Sequence, residues 1–148
     1  MAAGRPMAEV IDLIEAALLG SELGLVIIDR LNLTDAHPDD LMHRGVVVSM
    51  PSTANSEQFR DQDLAWVADE IRLDMGYRIR PLEQRVSRNE AFVLEEQIRV
   101  EMTRRSLLPD LHLTYAGTPS RAPHPRDATW WIATQTFTAA REAALGGF

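Results

Sequence analysis

Among side chains able to do chemistry, those of His37-Pro38-Asp39-Asp40-Leu41-Met42-His43 are the most closely grouped. An imidazole beside a carboxylate can take and return a proton, so His37 or His43 with Asp39 would suit a small hydrolase, and the same groups can ligate a metal. The spacing fits no ligand pattern, and Pro38-Asp39 favours a turn, so the segment reads first as a polar loop. His112 falls at an outward strand position, and His124 stands between Pro123 and Pro125. No serine sits in a G-x-S-x-G elbow, and the scattered glycines form no phosphate cradle. The acid pairs Asp39-Asp40, Asp61/Asp63 and Glu95-Glu96 read as solvated surface. This reading assigns no catalytic, cofactor-binding or metal residue and expects no enzyme.

Composition narrows the field further. The 148 residues contain no cysteine, and all 15 bases are arginine, which removes thiol catalysis, iron-sulfur ligation, a P-loop lysine and a Schiff-base lysine. With 22 acids the formal charge is -7, which opposes non-specific binding to nucleic acid. No signal peptide opens the chain, and nowhere do about 18 apolar residues run together, so a soluble, unexported protein without a membrane partner is expected. The length predicts one domain, residues 1–148.

The elements follow from periodicity. Met7, Val10, Ile11, Ile14, Ala17 and Leu18 follow helical spacing between Pro6 and Gly20, predicting a helix over 7–19. Leu25 to Ile28 and Val46 to Val48 predict short strands, the second ending at Pro51. Exposed loops are expected near 32–44, 52–62 and 117–128, the last holding Pro119, Pro123 and Pro125. From Val67 to Pro81 apolar residues occupy the odd positions, broken only by Asp69, which predicts a long strand that projects past the core. Ser87-Arg88-Asn89-Glu90 fits a capping box, predicting a second helix from Ser87 to about Ser106, with Ala91, Leu94, Ile98 and Met102 as its buried stripe. Strands over 111–115 and 129–138 close the chain, and 139–147 frays or adds a helical turn. The order α-β-β-β-α-β-β implies an α+β fold: one mixed, mostly antiparallel sheet of about five strands with both amphipathic helices on one face.

Charge is left over on one side of the long strand. Glu70, Arg72, Asp74, Arg78 and Arg80 offer both signs in register and suit a neighbouring copy, since such charges fix orientation more than affinity. Arg121, His124 and Arg126 of the proline-rich segment form a second candidate docking surface. Trp130 and Trp131 must face opposite sides of their strand, and Trp131 is taken as the interface anchor.

The layout that ends one strand in Tyr77-Arg78-Ile79-Arg80-Pro81, starts a helix at Ser87-Arg88-Asn89-Glu90-Ala91 and closes on Leu111 to Gly117 with Thr129 to Phe137 resembles the tail terminator proteins of long-tailed bacteriophages and gene transfer agents. The resemblance implies a homo-oligomer, usually a hexameric ring, on the head-proximal end of a tail tube. Such a ring ends tube polymerisation and meets a neck or head-completion protein, and DNA passes through it without specific binding. It also implies a virion or phage-like particle assembled in the host cytoplasm, and it carries no catalytic motif. A neck or head-tail adaptor of the same particle shares the layout. An adaptor capping another oligomer and the His37/His43 hydrolase with Asp39 are the alternatives from other classes.

Overall fold

A computed structural model describes residues 6–60, 64–104 and 112–144. The first helix, α1, spans Met7–Leu19 as its spacing predicts, with Pro6 at its N-cap. Val10, Ile14 and Leu18 are buried, each contributing about 1.5–3 kcal/mol by leaving water. The helix stops where the Gly20 N–H bonds the Ala16 carbonyl at 3.0 Å and the Ser21 hydroxyl donates to the Leu18 carbonyl at 2.6 Å.

Strand β1, Val26–Ile27, pairs in parallel with the start of β2, Gly45–Arg60. The chain returns so closely that a Cβ on Gly45 would lie 2.8 Å from the Met42 carbonyl oxygen, which requires glycine there. β2 pairs antiparallel with β3, Leu64–Arg78, and β3 with β5, Asp127–Ala144; β4, Leu113–His124, closes the sheet on the far side of β5. The strand order β1-β2-β3-β5-β4 is a single mixed sheet, so the fold is α+β as expected.

Three expected boundaries are corrected. The loop expected over 52–62 is strand as far as Arg60, and residues 61–62 lie outside the described residues. Pro51 falls within a register irregularity between Ser49 and Ser52, on the stretch of β2 that β1 no longer covers, where the missing N–H costs no ladder bond. The proline-rich segment is likewise strand: Pro119 and Pro123 belong to β4, the edge of the sheet, and Gly117 (φ 146) absorbs one of its irregularities. Only Pro125-Arg126 turn, joining His124 to Asp127. Instead of fraying after Thr138, β5 continues to Ala144, with Ala139 to Ala144 paired to Asp69 down to Leu64.

The second helix, α2, spans Gln84–Arg104 and begins three residues before the predicted capping box. The Ser87 N–H already bonds the Glu83 carbonyl at 2.9 Å, and its hydroxyl accepts from the Arg80 N–H at 3.0 Å. Ser87 therefore ties the helix back to the end of β3, and Glu90 binds Arg80 instead of the backbone. The expected continuation to Ser106 lies outside the described residues.

Both helices cover one face. Val10, Ile14, Leu18, Ala91, Leu94, Ile98 and Met102 pack with Val46, Val48, Ile71, Leu73, Met75, Tyr77 and Phe137. α1 lies over β1 and β2, and α2 over β4 and β5. The opposite face carries a second cluster in which Ile28, Leu33, Ala36 and Leu41 roof Val47, Trp130 and Ile132. The segment expected as an exposed loop near 32–44 is therefore a lid on one end of the sheet. Among the described residues β4 begins at Leu113, which pairs with Ala139, and past that pair the sheet consists of β2, β3 and β5, continuing for about 15 Å. No helix among the described residues is long and apolar enough to cross a membrane.

Candidate partner interface

Alternation on β3 places Glu70, Arg72 and Arg78 on the face away from the helices, and all but one of that row stay wet. Arg72 Nη2 lies 3.5 Å from Glu70 Oε2, and both side chains are largely exposed. Arg78 lays its guanidinium over the Trp130 ring at 5.0 Å. Asp74 is the exception and a correction: it is 4% exposed beneath the lid. Its Oδ2 accepts the Leu33 N–H at 3.1 Å and its Oδ1 the Thr134 hydroxyl at 2.8 Å, so it anchors the lid and is not presented to a partner.

His124 is corrected in the same way. It is 2% exposed. Its Nδ1 accepts the Arg126 N–H at 3.1 Å, so Nε2 carries the proton and donates to the Ala36 carbonyl at 2.9 Å. Arg126 adds a donor from Nη2 to the same carbonyl at 2.8 Å. The turn expected as a docking surface is thus clamped to the lid through His124 and Arg126, although Pro125 and much of Arg126 remain exposed.

Arg80 donates to Glu83 at 3.0 Å and to Glu90 at 2.6 Å. The Arg80 hydrogen bond holds the Glu90 carboxyl below its ordinary value, and the pair fixes the exit of β3 against α2. Arg121 reaches from β4 to α2, making a two-pronged contact with Glu95 at 2.7 and 2.6 Å. Glu95 is buried, and the Arg121 pKa is raised chiefly by this bond. Trp130 enters the lid cluster, whereas Trp131, half-buried, meets the edge of Phe92 at 5.9 Å on the helical face. The two tryptophans do face opposite sides, and α2 covers Trp131.

Both histidines of the hydrolase reading accept a backbone N–H, and His37 Nδ1 also lies 3.5 Å from the exposed Asp39 carboxylate. His37 Nδ1 accepts the Asp39 N–H at 3.1 Å and caps a short 3-10 turn, Pro38–Asp40. His43 Nδ1 accepts the Arg78 N–H at 3.1 Å, with its ring 4.4 Å from that of Tyr77. Among the described residues no three histidine, aspartate or glutamate side chains converge as metal ligands. Burial, helped by the Arg44 charge, holds the His43 imidazole below its ordinary value. The unfolded chain then binds more protons there than the native one, so His43 costs stability as pH falls below about 6.5. The melting temperature of His43→Gln is expected to fall less than that of the wild type between about pH 7 and pH 5.5; equal falls would contradict this.

Several residues were not singled out from sequence. Arg85 and Arg88 line a pocket of about 200 Å³ with Gln84, Ile79, Pro123 and Trp131, between the start of α2 and the tip of the β4–β5 hairpin. Val86, Val93 and Val100, at seven-residue spacing, form an exposed ridge on α2; that spacing was legible, but beside a stronger buried stripe it carries no signal of its own. Asp69 was visible as the break in the apolar series, though its partner Arg141 was not.

A comparison with models of known families finds none that matches the chain, and a comparison with curated proteins finds no significant match.

Proposed function

We propose that this chain is a structural subunit of a phage-like particle, forming a ring on the head-proximal end of the tail tube that ends tube polymerisation and joins the tail to the neck or head. The observation that carries the reading is the narrowing of the sheet among the described residues: β2, β3 and β5 stay paired to Arg60, Leu64 and Ala144, well past Leu113, the first residue of β4. Past Val46 no described residue pairs with the outer edge of β2, and such an edge is suited to a neighbouring copy or the end of a tube. The resemblance in element order supports the same reading, as do the exposed charges Glu70, Arg72, Arg78 and Arg126. The partners are copies of the chain, the tail tube protein and a neck or head-completion protein. Particles assembled without the chain are expected to show heads and tails that fail to join under the electron microscope; normally joined particles would overturn the proposal.

A further inference from the structure

Charge is sorted across the width of the sheet. On the β4 side, α2 presents Arg85, Arg88 and Arg99. Arg99 stacks over Tyr115 of β4 at 5.2 Å, and Arg85 and Arg88 border the pocket with Pro123 of β4. Among the described residues no carboxylate holds any of the three. Arg88 meets the Asn89 side chain at 3.3 Å and the Phe92 ring at 5.7 Å, and its buried Nε has no hydrogen-bond partner among the described residues. Trp131 Nε1, in the pocket wall residue, is also a buried donor without an acceptor. Glu96 on the same helix face is exposed and makes no ion pair among the described residues, so Arg85, Arg88 and Arg99 leave the flank net positive in a chain of net charge -7.

The opposite side, over β1 and β2, is α1. Met7–Leu19 contains Glu9, Asp12 and Glu15 and no base. Asp12, Glu15 and Leu19 lie at spacings of three and four residues on the outer face, and Leu19 is 58% exposed. Burial, and secondarily the neighbouring Asp12 charge, hold the Glu15 carboxyl above its ordinary value.

We propose that copies of this chain associate side by side, the outer face of α1 in one copy seating on the α2–β4 flank of the next, with Asp12 and Glu15 facing Arg85 and Arg88. Leu19 meets exposed Phe92 as the apolar part of the contact. The two patches differ and lie on opposite sides of one sheet, so the contact is heterologous and repeats until it closes. Closure into a ring rests on the function proposed above, while the contact itself rests on the charge sorting.

Charge exchange tests it. Wild type is expected to sediment as an oligomer at low ionic strength and to dissociate as salt is raised. Arg85→Glu/Arg88→Glu and Asp12→Arg/Glu15→Arg, each checked for a native circular dichroism melt, are each expected to lose the oligomer. An equimolar mixture regains it, because each variant then faces an opposite charge. Arg85→Ala/Arg88→Ala replaces the first variant should that one fail to fold, with weaker association expected. Variants that assemble like the wild type, or folded variants whose mixture stays monomeric, overturn the contact and leave the ring reading standing. A wild type that remains monomeric at every concentration and salt overturns both.

Discussion

Asp69→Ala is expected to lower the unfolding free energy by about 3–5 kcal/mol, the largest single-residue loss in the molecule outside its apolar core. Asp69 is fully buried and Arg141 is 7% exposed, with Nε 2.5 Å from Oδ2. The Thr53 hydroxyl donates to the other carboxylate oxygen at 2.6 Å. Thr53, Asp69 and Arg141 belong to β2, β3 and β5, so one carboxylate binds together the three strands that run past β4. Removing it leaves a guanidinium out of water without this counter-charge, which costs more than the pair itself contributes. Asp69→Leu/Arg141→Met should recover much of the loss, since an apolar pair of similar volume needs no compensation. Urea denaturation reads both. A loss below about 1 kcal/mol for Asp69→Ala would show that water reaches the site and that the pair behaves as a surface one.

Asp74→Ala is expected to cost about 2–3 kcal/mol and to act locally, because hydrogen bonds to a charged group are worth more than neutral ones and their loss orphans the Leu33 N–H. Leu33, Ala36 and Leu41 are held over Val47 and Ile132 by packing and by two polar anchors, Asp74 below Leu33 and His124 with Arg126 at the Ala36 carbonyl. With the first anchor gone, amide exchange over residues 29–41 should rise well before that of β3 and β5. Asp74→Asn keeps one acceptor and should lose about half as much. Uniform faster exchange across the sheet would contradict the lid description.

What could be read from sequence depended on whether a segment carried its own period. α1 and the Ile71-Leu73-Met75-Tyr77 row of β3 were legible because spacing, proline and glycine stops and burial all agree. The distal half of β2 was not, because Ser52, Thr53 and Ala54 have no dry side to declare and are extended only by their pairing with β3. The start of β4 was legible in the alternation around Leu113 and Tyr115, but its continuation to His124 was hidden by prolines that an edge strand tolerates. The interface residues divide on the same ground. Arg72 and Asp74 occupy equivalent positions on one strand face, yet only Asp74 is covered, because the lid lands on one end of the sheet, and no local pattern says where a distant segment will land. His124 looked exposed between its prolines for the same reason. Arg141 follows an alanine pair at the end of β5, where nothing nearby in sequence announces a buried carboxylate on β3.

The proposed role of the chain is to end tube growth. The most direct measurement is the length distribution of tails, by electron microscopy, in particles produced with and without it. The account predicts that tails lacking the chain lose their fixed length and continue as overlong tubes without heads, and that supplying the chain restores both length and joining. Tails of normal length carrying heads in its absence would contradict it.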